Sequence, residues 1–229
     1  MSCLPFYNDH KKPFFDSLLI ALLCCVLFSF QLGNRPFATP DEGRYVEIPR
    51  EMVETGDWVT PRLNGVKYFE KPPFLYWLQA LSFKAFGLNE FGMRLWIVVF
   101  ATLGCVATYA FGQAFFDRAT GLLAACILAT TALYFSLARL IILDMVVSTW
   151  VTLALFCFYK AFHLPDSFCR RLYFYGFSAS CALGVLTKGI MALAIPGPLI
   201  IIWLTYTRQW KLLSPFYFID CCFIFFLIT

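Results

Sequence analysis

Two clusters of charged residues in the chain have the residue types that acid–base chemistry and anion binding require. The first lies in the polar segment 33–94, where Arg44 follows Asp41 and Lys71 follows Glu70. A carboxylate can accept a proton or orient a hydroxyl group, and a fixed cation can bind a phosphate. A simpler interpretation also exists for the first carboxylate, since acidic residues in a first helical turn stabilise the helix dipole.

The second cluster pairs Arg139 with Asp144 and adds Lys188, and all three lie beside apolar blocks. Charge at the edge of a membrane is expensive and therefore often functional. Basic side chains there can instead be interfacial anchors that extend to the lipid headgroups. Two carboxylates and several cations at one membrane face would together suit an anionic lipid phosphate and a proton-transfer or electrostatic partner.

The composition indicates that membrane helices must position these clusters. Of the 229 residues, 60% are hydrophobic and only 14% are charged, against about 25% charged in a soluble domain. This excludes a disordered tail and an ordinary cytosolic enzyme. The net charge of +4 is spread along the chain, so no basic patch for nucleic acid is expected. The sequence predicts an all-α, polytopic membrane helix bundle.

A bilayer-spanning helix needs roughly 20 mostly apolar residues, and six or seven blocks are expected to span. The first block could be a signal peptide, but no small-x-small cleavage site follows it, which favours an uncleaved helix. The seventh block begins near Ser214 and stops at Thr229, so we expect that the chain is cut off there. The six complete blocks are 14–32, 93–115, 119–137, 145–162, 172–187 and 190–207.

The distribution of basic residues predicts the orientation of these spans. With a cytoplasmic N-terminus, the short outside loops carry only Arg139 and Lys188, and the long loop 33–92 is extracytoplasmic. The basic residues at the inside ends are then Lys11, Lys12, Arg118, Lys160, Arg170, Arg171, Arg208 and Lys211.

The long loop is expected to contain two helices that lie on the outer membrane face. The first is predicted over Thr39–Gly56, with a capping box of Thr39 and Glu42, Pro40 at its first helical position and a bend at Pro49. The second is predicted over Pro72–Phe86, ended by Gly87.

Cysteine and histidine offer no obvious chemistry. The chain has ten cysteines, most of them inside apolar blocks and none in a CxxC pair, so we interpret them as buried thiols that act as small apolar side chains. His10 and His163 have no metal-ligand spacing around them.

The segment 38–77, ATPDEGRYVEIPREMVETGDWVTPRLNGVKYFEKPPFLYW, resembles the first outward loop of one enzyme family. Its elements PDEGRY (40–45), REM…GDW (50–58) and YFEKPP (68–73), together with LTKG (186–189), are similar to motifs of the polyprenyl-phosphate-sugar glycosyltransferases with the GT-C membrane fold. Within these, the chain looks closest to the lipid A aminoarabinose transferases and their relatives related to protein O-mannosyltransferases.

The resemblance implies a role for each charged residue. Asp41 would be the essential first-loop carboxylate, a general base for a hydroxyl acceptor or an orienting group for a phosphate acceptor. Asp144 would be the second catalytic carboxylate, and Lys71 would bind the donor phosphate. The residues implied to bind substrate are Lys71, Arg44, Lys188, Glu42, Arg139 and Glu70.

The resemblance also implies partners and a location. The donor would be a sugar, aminoarabinose or a related one, on undecaprenyl phosphate, and the acceptor lipid A or another periplasmic molecule, in a bacterial inner membrane with the site on the periplasmic face. No cofactor is firmly implied; a divalent metal at Glu70 is left open. The chain would contact membrane lipids and would not bind nucleic acid.

Members of this family are roughly twice as long, so the residues 1–229 match only an N-terminal part of the transmembrane domain. A truncated, non-catalytic polyprenyl-lipid-binding protein, or one half of a split transferase, is therefore an alternative. A transporter is a weaker one, since no inverted repeat is visible.

Overall fold

The computed structural model describes residues 11–165, 167–208, 210 and 215–229. Lys211 and Ser214, two positions used in the predicted topology, lie outside this part. The helices and strands are α1 (Lys11–Ser29), α2 (Asp41–Thr55), β1 (Arg62–Leu63), β2 (Val66–Lys67), α3 (Phe74–Phe86), α4 (Glu90–Phe115), α5 (Arg118–Thr130), α6 (Ala132–Leu137), α7 (Leu143–His163), α8 (Phe168–Lys188), α9 (Met191–Ala194), α10 (Pro196–Thr207) and α11 (Pro215–Ile228).

The predicted all-α class is confirmed, because helices dominate and the described strands form a single two-stranded hairpin. Within the described residues, α4 and α7 are long and apolar enough to cross a membrane. Four shorter apolar helical segments lie where further spans were expected. They are in α1, α5, α9–α10 and α11. α8 has 21 residues but carries Arg170 and Arg171 in its first turn. The count of six or seven spans therefore stays a prediction.

Two predicted continuous spans are interrupted. The block 119–137 divides at Thr131, whose backbone is extended (φ −63°, ψ 126°), into α5 and α6. The block 190–207 divides before Pro196, which begins α10. Proline has no N–H for the preceding turn and fits best at a helix start, which is where Pro196 lies.

Both predicted loop helices exist as α2 and α3, but the capping box is wrong. Thr39 does not cap α2; Pro40 occupies the N-cap, and no side chain forms a capping hydrogen bond there. The Glu42 carboxylate points instead into the protein. Gly56 ends α2 in the left-handed conformation (φ 73°), as expected. The helix runs through Pro49 as a single element.

A short hairpin between α2 and α3 was not predicted. Arg62 pairs with Lys67, and Leu63 with Val66, around a turn at Asn64 and Gly65. Both turn residues have positive φ, 53° and 77°, which suits a type I′ turn. The Asn-Gly dipeptide is a strong hairpin signal that could have indicated this turn from the sequence.

The packing brings the ends of several helices together at one end of the bundle. α4 packs against α1, α5 and α7, and α7 packs along α8. Short connections make consecutive helices antiparallel, so the start of α4, the end of α6, the start of α7 and the end of α8 share one end. α3 contacts α4 and α8 there, and α2 packs on α3. Both charged clusters lie at this end.

The cysteine interpretation is confirmed in part. The nine cysteines in the described part of the chain are free thiols. Cys24, Cys105 and Cys181 are buried, as expected, whereas Cys25, Cys126 and Cys169 are exposed on the helix surfaces.

We expect Gly121→Ala to destabilise the bundle, because α4 and α5 cross closely there. A Cβ at Gly121 would lie 2.7 Å from the carbonyl oxygen of Tyr109 and 2.9 Å from the amide nitrogen of Gln113. Both are backbone atoms that cannot rotate away, so the cost is about 1–3 kcal/mol, measurable by unfolding in mixed micelles. Gly197→Ala is the control, since a Cβ there meets nothing within 4 Å. Equal stability of the two variants would contradict the close crossing.

Candidate active site

The first carboxylate of the site is held by its neighbour on the next turn of α2. Asp41 is the first residue of the helix, and its carboxylate accepts a hydrogen bond from Arg44 Nη2 at 2.6 Å. The Asp41 side chain stays 68% exposed, so it remains accessible to a ligand. The Arg44 Nε is buried and has no hydrogen-bond partner within the described residues. Arg44 therefore holds Asp41 and still has an N–H to donate.

Glu70 connects this pair to Lys71. Its carboxylate lies 3.9 Å from Arg44 Nη1 and 4.0 Å from Lys71 Nζ. The hydroxyl of Tyr68 donates a hydrogen bond to Glu70 Oε2. This hydrogen bond, with the charges of Lys71 and Arg44, lowers the pKa of Glu70. Burial and the bond to Glu70 raise the pKa of Tyr68 to about 12, so at neutral pH the phenol is a donor and Glu70 an anion.

The second cluster is built from α7 and α8. Asp144 lies in the first turn of α7, and Lys188 is the last residue of α8; the two form an ion pair. The sequence had grouped Asp144 with Arg139. In the structure the Arg139 guanidinium lies over the ring of Phe135, 5.2 Å from its centroid, and Lys188 is the cation paired with Asp144.

Tyr45 follows Arg44 on α2, and charges from both clusters act on it. Burial raises its pKa, the charge of Arg44 lowers it, and the charges of Asp41, Asp144 and Glu70 raise it. Contacts of 3.9 and 4.0 Å join α2 to the loop before α3, and the N–H of Ile141, three residues before Asp144, donates to Glu42 at 3.0 Å. The structure therefore places the predicted residues from α2, the loop before α3, and α7 at the same end of the bundle.

Glu42 is the predicted site residue that the structure places elsewhere. Its side chain is only 2% exposed, and both carboxylate oxygens are bonded to protein groups. Arg94 donates from Nε to Oε1 at 2.9 Å and from Nη2 to Oε2 at 2.7 Å. The backbone N–H of Ala38 donates to Oε2 at 2.7 Å, and that of Ile141 to Oε1 at 3.0 Å. This geometry favours a structural role for Glu42 over substrate binding.

Arg94 was not among the candidates, although the sequence carried a signal for it. A charged residue at the beginning of the predicted span 93–115 needs an explanation, because unpaired charge there is costly. Arg94 is fully buried. Breaking a buried pair by removing one partner costs about 3–5 kcal/mol when the other charge is left uncompensated. Here Arg35, which is half exposed and lies 3.2 Å from Glu42 Oε2, remains as a second cation.

The pair with Arg94 makes Glu42 a pH-sensitive contributor to stability. Burial raises its pKa, but the hydrogen bonds from Arg94, Ala38 and Ile141 outweigh burial, and the net pKa is lowered. Its contribution is therefore fully present above the unfolded pKa, about 4.3, and is lost as the pH falls through the lower folded value.

No group of three or more His, Cys, Asp or Glu in the described part of the chain is arranged to hold a metal ion. The carboxylate of Glu70 is surrounded by a phenol and two cations. A divalent metal at Glu70 stays a prediction.

We expect Tyr68→Phe to move the acid limb of the site's pH dependence to higher pH. The hydrogen bond from Tyr68 is the largest cause of the lowered pKa of Glu70. Without it the Glu70 carboxyl protonates earlier as the pH falls, and its hold on Arg44 and Lys71 is lost at a higher pH. A pH profile of inorganic phosphate binding at the site measures the shift.

Tyr76→Phe is the control, because the buried Tyr76 hydroxyl has no hydrogen-bond partner within the described residues. Its profile is expected to match that of the unchanged protein. An unshifted acid limb in Tyr68→Phe would show that Glu70 does not control the site's titration.

An apolar helical bundle with a charged site at one end is typical of a membrane protein. The family model for the dolichyl-phosphate-mannose-protein mannosyltransferases matches residues 18–229. The chain belongs to this family.

Individual relatives are described more specifically than the family. The chain is 33% identical, over 84% of its length, to the undecaprenyl phosphate-alpha-4-amino-4-deoxy-L-arabinose arabinosyl transferase 2 of Sodalis glossinidius. It is 35% identical, over 78% of its length, to the arabinosyl transferase of the same description from Yersinia enterocolitica. These matches cover 36% and 32% of the two relatives, so the chain spans about one third of their length.

Solved structures agree in fold. The crystal structure of ArnT from Cupriavidus metallidurans in the apo state matches 96% of this chain and 41% of that protein, with a TM-score of 0.83 at 29% identity. The structure of the same protein bound to undecaprenyl phosphate matches 93% of this chain and 39% of that one, with the same score and identity. The predicted resemblance to aminoarabinose transferases and the GT-C type of fold are confirmed.

Proposed function

We propose that this chain supplies the donor-binding and catalytic groups of a glycosyltransferase that uses a sugar carried on undecaprenyl phosphate. The sugar is aminoarabinose or a related one, and the acceptor is lipid A or another periplasmic molecule. The descriptions of the relatives support the donor class, and the undecaprenyl phosphate bound to ArnT supports a lipid phosphate as ligand.

One observation carries the proposal: an accessible set of alternating charges at the end of an apolar bundle. Asp41, Arg44, Glu70 and Lys71 follow one another through contacts of 2.6, 3.9 and 4.0 Å. The pair of Asp144 and Lys188 lies at the same end of the bundle, and the charge of Asp144 raises the pKa of Tyr45, the neighbour of Arg44. Cations and carboxylates side by side suit a phosphate bonded to a sugar.

The proposed reaction breaks the bond between the anomeric carbon and a phosphate oxygen. The electron pair leaves with the phosphate, and an acceptor oxygen forms the new bond to the anomeric carbon. Lys71 and Arg44 stabilise the negative charge that develops on the leaving phosphate, with Lys188 as a third cation. Carboxylates stabilise the positive charge that develops on the sugar.

The two catalytic carboxylates are Asp41 and Asp144 in this proposal. If the acceptor is a hydroxyl group, Asp41 accepts its proton as the general base. If the acceptor is a phosphate, there is no proton to remove, and Asp41 orients the acceptor or the sugar. Asp144 lies on the sugar or acceptor side, while Lys188 holds it in place.

The test is transfer by the full protein as its gene encodes it, in liposomes with undecaprenyl phosphate-aminoarabinose and lipid A. Mass spectrometry is expected to show lipid A heavier by one sugar, and added undecaprenyl phosphate is expected to inhibit. Donor-lipid binding without transfer to lipid A or any other phosphate or hydroxyl acceptor would favour the non-catalytic lipid-binding alternative and overturn the proposed activity.

We further propose that the N-terminus is cytoplasmic and that the site faces the periplasm, in a bacterial inner membrane. The excess of basic residues at the opposite helix ends supports this orientation. Cysteines introduced at the exposed positions Val66 and Phe116, at opposite ends of the bundle, test it. An impermeant maleimide is expected to label Val66→Cys in cells with a permeable outer membrane, and Phe116→Cys only after the inner membrane is opened. The reverse pattern would invert the topology.

A further inference from the structure

We propose that Arg94 is a positioning residue for sugar transfer: its buried ion pair with Glu42 fixes Asp41 and the segment that leads to Asp144 relative to each other. This inference rests on the proposed transferase function. It assigns a role in the reaction to two residues that are too buried to touch substrate.

The guanidinium of Arg94 ties three parts of the chain together. Besides its two bonds to Glu42, Nη1 donates to the carbonyl oxygens of Leu32 at 3.0 Å and Arg35 at 2.8 Å, and Nη2 donates to that of Pro36 at 3.1 Å. The group also lies 5.2 Å from the ring centroid of Phe37. Arg94 thus holds the chain between α1 and α2 against the beginning of α4.

Glu42 extends this connection to both carboxylates of the site. It is the direct neighbour of Asp41, so its fixed side chain sets the first turn of α2. Its Oε1 accepts the N–H of Ile141 at 3.0 Å, across 99 positions of sequence. Ile141 is fully buried and precedes Asp144 by three residues. The Glu42 carboxylate therefore links the residue next to Asp41 to a residue three positions before Asp144.

Arg94 and Glu42 cannot be exchanged for a simpler pair without loss of this geometry. The planar guanidinium presents five N–H donors in a fixed fork, whereas lysine has a compact ammonium group. Five hydrogen bonds from Arg94 fix the orientation of its guanidinium group. A misplacement of about 1 Å at reacting groups can lower the rate about 100-fold.

A second arginine–carboxylate pair provides a matched control. Arg118 donates from Nε and Nη2 to Asp16 at 2.6 and 2.8 Å, and Tyr109 donates to the same carboxylate at 2.8 Å. This pair also joins α1 to the α4–α5 region, but it lies at the opposite end of α4 from Arg94. Its loss should affect the bundle without moving Asp41 or Asp144.

The experiment compares Arg94→Gln, Arg94→Lys and Glu42→Gln with the control Arg118→Gln, in the full protein in liposomes. Four quantities are measured: kcat and KM for sugar transfer, binding of undecaprenyl phosphate, and amide hydrogen exchange of the segment 138–142. For Arg94→Gln we expect kcat to fall about 100-fold with KM and lipid binding within about twofold, partial rescue by Arg94→Lys, and faster exchange at Ile141. Arg118→Gln should leave kcat and that exchange unchanged.

Several results would overturn the inference. One is an unchanged kcat in all three variants; another is a loss of lipid binding equal to the loss of kcat, which would make Arg94 part of the binding site. Unchanged exchange at 138–142 would show that the pair does not hold this segment. If Arg94→Gln does not fold, Glu42→Gln, which keeps the shape of the side chain, decides the same questions.

Sugar transfer by the unchanged protein separates this inference from the proposed function. If the unchanged protein transfers no sugar, the proposed function fails and the catalytic role of Arg94 fails with it, whether or not exchange at 138–142 responds. If the unchanged protein does transfer sugar but the variants retain its kcat, only the positioning role fails.

Discussion

Asp41→Asn is expected to reduce sugar transfer by about 10²–10⁴-fold, the contribution typical of a positioned general base. The substitution keeps the size of the side chain and the acceptor for Arg44, whose Nη2 lies 2.6 Å from the carboxylate. It removes the negative charge and the ability to take a proton. Since the Asp41 side chain is largely exposed and supports no buried contact, folding should be unaffected.

The assay for Asp41→Asn is kcat with lipid A and with a hydroxyl-bearing acceptor, together with undecaprenyl phosphate binding. A larger loss with the hydroxyl acceptor would identify Asp41 as a general base; equal losses would identify it as an orienting group. Asp57→Asn is the control, because Asp57 belongs to the same loop but its contacts are local: the N–H groups of Val59 and Thr60 donate to it, and Arg62 lies 3.7 Å from it. If Asp41→Asn and Asp57→Asn have equal activity, Asp41 is not catalytic.

Lys71→Met is expected to weaken binding of undecaprenyl phosphate by about 10- to 100-fold, because a hydrogen bond to a charged group contributes about 1.5–3 kcal/mol. Methionine keeps most of the length and the apolar part of the side chain and removes the charge. The Lys71 side chain is only partly exposed and lies 4.0 Å from Glu70. Binding of undecaprenol, which has the same tail without the phosphate, should not change.

Lys67→Met is the matched control for Lys71. Lys67 is an exposed lysine of the neighbouring hairpin, on the strand that pairs with Arg62. The Lys67→Met substitution removes the same charge from the same loop, so a general electrostatic effect would appear equally in both variants. If both lose the same small amount of affinity and regain it in low salt, Lys71 contributes only to the overall field and makes no direct contact with phosphate.

Much of the local structure could be predicted from the sequence because its causes are local. Apolar blocks predicted helices at nearly all their positions, and Gly56 and Gly87 end α2 and α3 as expected. The predicted capping box of Thr39 and Glu42 failed because a pattern of four residues cannot show that a distant arginine competes for the same carboxylate. The hairpin has a local cause as well, since the dipeptide of Asn64 and Gly65 is by itself a hairpin signal.

The partners of charged residues depended on the tertiary structure. The sequence placed Asp144 with Arg139, five positions away, but helix packing puts it beside Lys188, which is 44 positions away. The carboxylates of Asp41 and Glu42 are adjacent in sequence and have opposite environments, one largely exposed and the other 2% exposed. Nothing in their side-chain chemistry distinguishes them, because burial is decided by which element packs over each side.

By itself, the sequence of this protein determined that it is a membrane helix bundle and which charged residues stand outside its apolar blocks. Hydropathy and turn residues act over a few neighbouring positions, so these features follow from short segments. Only the tertiary structure decided that Arg94 joins Glu42 over 52 positions and Ile141 joins it over 99. The partners of a buried charge are set by the elements that pack around it. This packing places charged residues that are distant in sequence in one site.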